Sequence, residues 1–148
     1  MRALSNVTKK ALEKCGLGPD DIHLMVPHQA NLRIIEAVVG RTGIPMDKVM
    51  LTVQNYGNMS AATVPVALTE AVETGRVRPG ALVLMPAFGA GLTFCAHLMR
   101  WGSRVTPLTS SEAALPPSPK TALEMVDEIR ARRLSTAERS AGGLHAAV

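Results

Sequence analysis

The sequence predicts an α/β domain in which helices cover a sheet. Three amphipathic segments with helical spacing alternate with short apolar runs that suit buried strands. This alternation is typical of layered α/β folds. Apolar residues make up 47% of the 148 residues and aromatic residues only 3%, so aliphatic side chains and methionine must fill the core. Such a composition is typical of a globular domain and excludes wholesale disorder.

The three helices are predicted from their apolar spacing and from the residues at their ends. They span residues 3–15, 30–42 and 60–73. Gly16 and Gly43 favour the ends of the first two, because glycine adopts the left-handed angles of a helix C-terminus. Ser60 is predicted to cap the third helix. Pro65 fits that helix only in the first turn, where backbone N–H groups lack partners.

Four apolar runs are predicted strands, at residues 22–26, 49–53, 81–85 and 92–99. The last two belong to a stretch, 81–99, that carries no formal charge when His97 is neutral and nearly reaches membrane-spanning length. Pro86, Gly89 and Gly91 interrupt it, which favours two buried strands joined by a glycine-rich bend over a membrane helix. The N-terminus also lacks a signal-like pattern, so the sequence predicts a cytoplasmic protein without a membrane span.

Composition divides the chain into three parts. Residues 1–101 form the predicted α/β domain, and residues 102–120, rich in Pro, Ser and Thr, are predicted to be a linker. Thr121 and Glu124 form a capping box that opens a short amphipathic helix within residues 121–148. We expect this helix and a frayed tail to be a solvated appendage, because so short a helix is marginal unless it packs on something.

Charge and cysteine content argue against several kinds of function. The net charge of +4 is mild and the basic residues lack interleaved aromatic side chains, so nucleic-acid binding is not predicted. The two cysteines, Cys15 and Cys95, form no CxxC pair and have no histidine at zinc-ligand spacing. A reducing compartment and no bound metal are therefore expected.

Three segments at strand ends carry residues suited to chemistry, at the position where α/β folds place their sites. In the first, His28 leaves a strand at the start of a helix. In the second, Gly57 and Asn58 precede a helix start, and in the third, Gly89 and Gly91 flank a bend. Taken singly, each has a plain structural explanation: a histidine bonded within its loop, a common turn, and a chain reversal. Their order and spacing together carry more information than any one of them.

The motifs in these segments are Pro27-His28-Gln29-Ala30-Asn31, Gly57-Asn58-Met59-Ser60-Ala61-Ala62 and Phe88-Gly89-Ala90-Gly91. In this order they resemble the second half of the thiolase-like condensing enzymes, in particular β-ketoacyl-acyl carrier protein synthase III. The resemblance extends from about Met1 to Trp101. It implies the C-terminal half of a thiolase-like fold, with a mixed sheet covered by helices.

The resemblance implies a Cys-His-Asn site for decarboxylative condensation. A cysteine takes the acyl group from acyl-CoA, and malonyl-acyl carrier protein loses carbon dioxide to give an enolate that attacks the acyl-enzyme. His28 and Asn58 correspond to the pair that donates hydrogen bonds to the enolate oxygen. The loop of Gly89, Ala90 and Gly91 would supply a backbone N–H near Ala90 to the oxyanion hole.

Two residues depart from the usual pattern of the family, which has a third glycine at the position of Ala90 and a threonine at that of Met59. An alanine retains the backbone N–H, but it needs backbone angles that a Cβ permits. Met59 would shape the packing around Asn58. The resemblance therefore implies the class of reaction more firmly than the substrate.

The resemblance also implies substrates and partners. Asn31, Arg33 and Arg41, at the start of and along the helix that follows His28, would contact the pantetheine arm and the acidic acyl carrier protein. From the residues alone, the two arginines are equally compatible with an ordinary surface. No tightly bound cofactor is implied, since acyl-CoA and phosphopantetheine carriers are substrates. The complete enzyme is expected to be a homodimer in fatty-acid or polyketide synthesis.

The nucleophile is expected in another segment of polypeptide. Cys15 ends a surface helix and Cys95 lies in a predicted buried strand, so both are interpreted as structural thiols. The first helix begins at Met1, and the family's cysteine belongs to an N-terminal half, so the chain is expected to be truncated, cleaved or separately encoded. Two alternatives stay open: a non-catalytic partner subunit, and an acyltransferase of the same fold that does not decarboxylate.

Overall fold

The structure, a computed structural model, describes residues 1–106, 113 and 116–142. Contacts between residues divide the chain into two compact units, Met1–Thr109 and Ser110–Val148. The predicted boundaries of the linker, at residues 102 and 120, stay predictions because much of that segment lies outside the described residues. No described helix is both long and apolar enough to cross a membrane.

The first unit has the α/β character that the sequence predicts. Its helices and strands are α1 (Arg2–Lys14), β1 (Leu24–Met25), α2 (Leu32–Thr42), α3 (Val53–Tyr56), α4 (Thr63–Glu73), β2 (Leu82–Gly89) and β3 (Thr93–Arg100). Short 3₁₀ turns cover Pro19–Asp21, Met46–Lys48 and Ser60–Ala62. The two long predicted helices 3–15 and 30–42 are confirmed within two residues at each end.

The sheet has three strands in the order β1-β2-β3 and is mixed, as predicted. β1 pairs with β2 in parallel and β2 with β3 antiparallel. The register from Leu82↔Arg100 to Gly89↔Thr93 confirms the two strands joined by a bend. The left-handed angles of that bend fall on Gly91 (φ 84°) and Leu92 (φ 42°) and not on Ala90, so the alanine at that position is compatible with its Cβ.

Two clusters of apolar side chains pack on opposite faces of the sheet, because successive residues of a strand point to opposite sides. On one face, α1 and α2 cover Leu82 and Leu84. On the other, α4 covers Val83 together with Leu24 of β1. The sheet is therefore a central layer between helices.

Strand β3 corrects one prediction. Phe94, Ala96 and Leu98 pack against the α1 side, but the intervening residues of the strand are exposed and none of them joins the α4 cluster. Cys95, predicted to be a buried structural thiol, is exposed on this uncovered face. The prediction failed because an apolar run gives no indication that helices cover only one side of the strand.

The predicted strand at residues 49–53 is wrong. Val49 makes a single parallel bridge with Met25, and the chain then turns into α3. The side-chain Oε1 of Gln29 accepts hydrogen bonds from the backbone N–H groups of Thr52 and Val53. In a strand, these two N–H groups would need acceptors on a neighbouring strand; here the side chain of Gln29 is the acceptor for both.

The predicted cap at Ser60 is also wrong. Ser60 has φ 56° and its side chain makes no capping hydrogen bond; Ser60–Ala62 is a 3₁₀ turn and α4 begins only at Thr63. Pro65 is the third residue of α4 and so lies in the first turn, as predicted. The shift of the helix start makes Thr63, and not Ser60, the polar residue at the end of α4 nearest His28.

The second unit contains α5 (Ala122–Gly142). The predicted capping box is confirmed, since the Thr121 N–H donates to Glu124 Oε2 and the Glu124 N–H donates to Thr121 Oγ1. The helix is longer than the short one predicted, because no glycine or proline occurs between its start and Gly142. The rest of the predicted frayed tail, residues 143–148, lies outside the described residues.

Candidate active site

His28 is placed by hydrogen bonds that continue the pairing of β1 beyond its end. The Val26 N–H donates to Leu84 O at 2.8 Å and the His28 N–H donates to Pro86 O at 2.9 Å. Proline has no N–H to donate, but its carbonyl still accepts. Asn31 then caps α2 by accepting the Arg33 N–H at 2.9 Å. His28 therefore leaves the sheet just before a helix, as predicted.

Two contacts orient the imidazole ring of His28. The ring of Phe88 meets it edge-on, with centroids 4.9 Å apart and planes at 70°. On its other side, Nδ1 lies 2.6 Å from the hydroxyl of Thr63. Desolvation by burial lowers the pKa of His28 from its ordinary value, so the neutral imidazole predominates at neutral pH.

Gln29 holds the neighbourhood of His28 together. It is fully buried. Its Nε2 donates to Pro27 O at 2.8 Å and to Met50 O at 3.0 Å, while its Oε1 accepts from Thr52 and Val53 as described above. One side chain thus joins the His28 segment to the segment that leads into α3. The sequence placed Gln29 in the His28 motif but indicated no role for it, because nothing local shows that this polar side chain is buried.

Replacing Gln29 with alanine is expected to destabilise the fold by about 2–4 kcal/mol, because it leaves several buried backbone groups without partners. Urea unfolding at low protein concentration, followed by the fluorescence of Trp101, measures the change. Gln54→Ala is the matched control, since that side chain donates one exposed hydrogen bond to Leu51 O. Equal unfolding midpoints for the two variants would contradict the role given to Gln29.

Asn58 follows α3, and the backbone conformation of the preceding glycine sets its direction. Gly57 has φ 65° and ψ −156°, a conformation that other residues rarely adopt. The Asn58 Oδ1 accepts the Ser60 N–H at 2.9 Å. Because an N–H must donate to the oxygen of the amide, this contact fixes which way the group is turned and leaves its NH₂ available as a donor.

His28 and Asn58 lie on one cavity of about 680 Å³, together with Phe88, Gly89 and Ala90. The three predicted motifs, far apart in the sequence, therefore meet at one place. The cavity opens along the uncovered face of β3. Its remaining lining residues, which sequence reasoning did not select, are Ser60, Ala61, Val64, Met85, Ala87, Leu92, Cys95 and His97.

The other predicted site residues lie outside this lining. Gly91 forms the bend behind Ala90, and Asn31 is occupied as the cap of α2. Arg33 and Arg41 are exposed on α2, which starts at Leu32, four residues after His28. Arg33 is at the end of α2 that follows the His28 segment and Arg41 is in the last turn of that helix; neither is among the residues that line the cavity.

The chain matches known proteins over most of its length. A family model described as 3-oxoacyl-[acyl-carrier-protein (ACP)] synthase III C terminal matches residues 12–101. The beta-ketoacyl-[acyl-carrier-protein] synthase III 2 of Vibrio cholerae is 44% identical over 128 residues, which are 86% of this chain and 35% of that protein.

Solved structures agree with this match. The beta-ketoacyl-[acyl carrier protein] synthase III of Thermus thermophilus has a TM-score of 0.67 and 51% identity, over 70% of this chain and 32% of that one. The corresponding synthase of Aquifex aeolicus also has a TM-score of 0.67, with 47% identity over 68% of this chain and 32% of that one. These likenesses confirm the predicted fold class. The chain spans about a third of the length of the relatives it matches.

Proposed function

Because this chain belongs to the 3-oxoacyl-[acyl-carrier-protein] synthase III family through that family's C-terminal part, we propose that it supplies the His-Asn half of a condensing active site. The overall reaction is the decarboxylative condensation of acyl-CoA with malonyl-acyl carrier protein. The chain spans about a third of the length of its relatives, and we propose that the nucleophilic cysteine belongs to the N-terminal part of the synthase. The substrates carry the chemistry, and no tightly bound cofactor takes part.

The proposed reaction has two stages. The cysteine thiolate attacks the acyl-CoA thioester and releases CoA, forming an acyl-enzyme. Malonyl-acyl carrier protein then loses carbon dioxide, and the electron pair of the broken C–C bond becomes an enolate. The enolate carbon attacks the acyl-enzyme carbonyl, and the cysteine thiolate leaves, giving 3-oxoacyl-acyl carrier protein.

The observation that carries this proposal is that His28 and Asn58 line one cavity. In the proposed reaction, negative charge grows on the thioester oxygen of the malonyl group as carbon dioxide departs. The imidazole of His28 and the NH₂ of Asn58 would donate hydrogen bonds to this oxygen. Donors already held in place before the reaction need no reorganisation when the charge appears.

The glycine loop serves the first stage in this proposal. The Ala90 N–H, together with that of the cysteine, would bind the oxygen of the acyl carbonyl. Two features of the loop support it. Ala90 lines the same cavity as His28. Gly89, the residue before it, is paired with Thr93 of β3 at the end of the sheet, so the loop starts where the two strands are still held together.

A condensation assay tests the proposal. The chain is assembled with a cysteine-bearing N-terminal half from a related synthase, and release of carbon dioxide and formation of 3-oxoacyl-acyl carrier protein are measured separately from acylation of the cysteine. Acylation without loss of carbon dioxide would favour an acyltransferase of the same fold. If decarboxylation and condensation both persist when His28 and Asn58 are replaced together, this chain would be a non-catalytic subunit.

We also propose that α2 receives the carrier protein. Arg33 and Arg41 are eight residues apart and so lie about 12 Å apart along the helix axis. Both are exposed, and α2 begins beside the His28 segment. An acidic carrier protein bound there would have its phosphopantetheine arm within reach of the cavity.

Charge reversal at Arg33 and Arg41 is expected to raise KM for malonyl-acyl carrier protein and to leave the acyl-CoA half-reaction unchanged. The effect should shrink with added salt, since exposed charges more than about 10 Å apart are screened at 0.1 M. Lys9→Glu, an exposed reversal on α1, is the matched control. If KM for acyl-CoA rose equally, the arginines would contact the nucleotide or stabilise the fold instead.

A further inference from the structure

Thr63 is the buried polar residue closest to the imidazole of His28. It is fully buried at the first position of α4. Its hydroxyl lies 2.6 Å from His28 Nδ1 and 3.0 Å from Ser60 O. A hydroxyl has one proton to donate, so it can serve only one of these two acceptors. If it donates to Ser60 O, then Nδ1 must carry the ring hydrogen and donate to the hydroxyl.

The hydrogen-bond distance and the other partner of the Ser60 carbonyl both bear on where the proton lies. The separation of 2.6 Å between Thr63 Oγ1 and His28 Nδ1 is shorter than the usual range of about 2.7–3.2 Å for an N–H donor to oxygen, and hydroxyl donors make the shorter bonds. The Ser60 carbonyl already accepts the backbone N–H of Thr63, so it is satisfied without the hydroxyl. Both observations favour the arrangement in which the Thr63 hydroxyl donates to Nδ1.

The position of the ring hydrogen determines what His28 offers to the cavity. In a neutral imidazole, one nitrogen accepts and the other donates. When Nδ1 accepts from Thr63, the hydrogen lies on Nε2, and the ring presents a donor to the cavity. In the opposite tautomer Nε2 would present a lone pair and act as a base. The hydrogen bond made by Nδ1 therefore determines whether Nε2 acts as a hydrogen-bond donor or as a base.

We propose that Thr63 is a positioning residue that holds His28 in the tautomer with hydrogen on Nε2, making it a hydrogen-bond donor and not a base. The Phe88 ring fixes the plane of the imidazole, and the hydroxyl fixes which nitrogen donates. The catalytic consequence rests on the proposed function, because it concerns an enolate oxygen. The tautomer itself is a property of this chain and can be measured without turnover.

Few other titratable groups face the ring. Among the described residues that line the cavity, Cys95 and His97 on β3 are the other titratable side chains, and none is a carboxylate. From α4 the ring meets Thr63, and from β2 it meets Phe88. A change in the titration of His28 after substitution of Thr63 therefore reports on the lost hydroxyl.

The test uses Thr63→Val, which keeps the shape and removes the hydroxyl, and Thr63→Ser, which keeps the hydroxyl. Thr69→Val is the matched control, because that hydroxyl bonds to Pro65 O on the exposed side of the same helix. Each chain is labelled with ¹⁵N-histidine, assembled with an unlabelled cysteine-bearing half, and titrated by nuclear magnetic resonance. Decarboxylation is measured on the same samples.

The wild-type spectrum is expected to show hydrogen on Nε2 of His28. In Thr63→Val the pKa of His28 should rise, because a donor to Nδ1 favours the neutral ring and its loss removes that preference. Decarboxylation should fall by about tenfold to a hundredfold, as expected for a misplaced catalytic group. Thr63→Ser and Thr69→Val should both remain close to the wild type.

Hydrogen on Nδ1 in the wild type, or a fall of the His28 pKa in Thr63→Val, would overturn the assignment, because an accepting hydroxyl stabilises the charged ring. The position of the ring hydrogen is measured on the wild type, so the assignment can still be tested if the Thr63→Val chain fails to fold. Unchanged decarboxylation in Thr63→Val beside a strong loss in His28→Ala would reject the positioning role. Absence of condensation in the wild type would reject the proposed function alone, with the tautomer still decided by the spectrum.

Discussion

Substituting His28 or Asn58 with alanine is expected to lower malonyl decarboxylation by roughly 10²–10³ each, the usual effect of removing one donor to a developing oxyanion. Acylation of the cysteine should suffer much less, because in our proposal that stage relies on backbone N–H groups. Release of carbon dioxide and formation of the acyl-enzyme are measured on the same preparation. The double variant should lose less than the product of the two single losses, since groups that act together are not additive.

The structure offers a control in the same cavity. His97 also lines it, from the exposed face of β3, so His97→Ala removes an imidazole without touching the proposed donors. It should retain decarboxylation. Near-normal condensation in both His28→Ala and Asn58→Ala would remove the pair from the mechanism.

The same assay has a pH signature. Burial lowers the pKa of His28, so the neutral ring persists to a lower pH than for an exposed histidine. Activity that depends on the neutral ring should therefore be retained as the pH falls through the ordinary histidine value of about 6.5, and be lost only below it. The acidic limb of the rate profile should disappear in His28→Ala.

The sequence predicted the parts of this fold that depend on local pattern. Apolar spacing and glycine stops located α1 and α2. The two predicted strands and the bend at Gly91 are confirmed, but Pro86 and Gly89 do not interrupt the first strand, since β2 continues through both of them. The resemblance of the motifs also implied that His28 and Asn58 would come together, although Asn58 follows α3 and not a strand as the sequence predicted. The structure places them on a single cavity.

The failures all involve contacts between distant segments. The run 49–53 has strand composition, but the side chain of Gln29, more than twenty residues earlier, occupies its backbone donors. Ser60 has a side chain suited to capping a helix, yet its backbone has a positive φ, and Thr63 is the buried polar residue at the start of α4. Cys95 lies in an apolar run whose second face no described helix covers. Local pattern carries no information on such partners.

Two cysteines must be considered as rival nucleophiles before the cysteine is assigned to another polypeptide. Cys15 is the C-terminal cap of α1 and is not among the residues that line the cavity. Cys95 lines the cavity beside His28, a position that sequence reasoning did not foresee, but it lies within β3 and not at a helix N-terminus. Reactive cysteines need a positive local environment that lowers the thiol pKa, and neither place provides a helix N-terminus.

The chain by itself is therefore expected to show no condensing activity, and combining it with a cysteine-bearing N-terminal half should restore acyl-enzyme formation and condensation together. The open cavity, the bend residue Leu92 (74% exposed) and the uncovered face of β3, which includes Met99 (37% exposed), are surfaces that a large apolar interface would bury. Alone, the chain should self-associate through this face and sediment as several oligomeric species. Adding the other half should reduce the number of species seen in sedimentation. Cys15→Ser/Cys95→Ser, measured in the assembled enzyme, should leave turnover unchanged. Robust turnover by the isolated chain that survives this double substitution would contradict the two-half account, and loss of turnover on Cys95→Ser alone would make Cys95 the nucleophile.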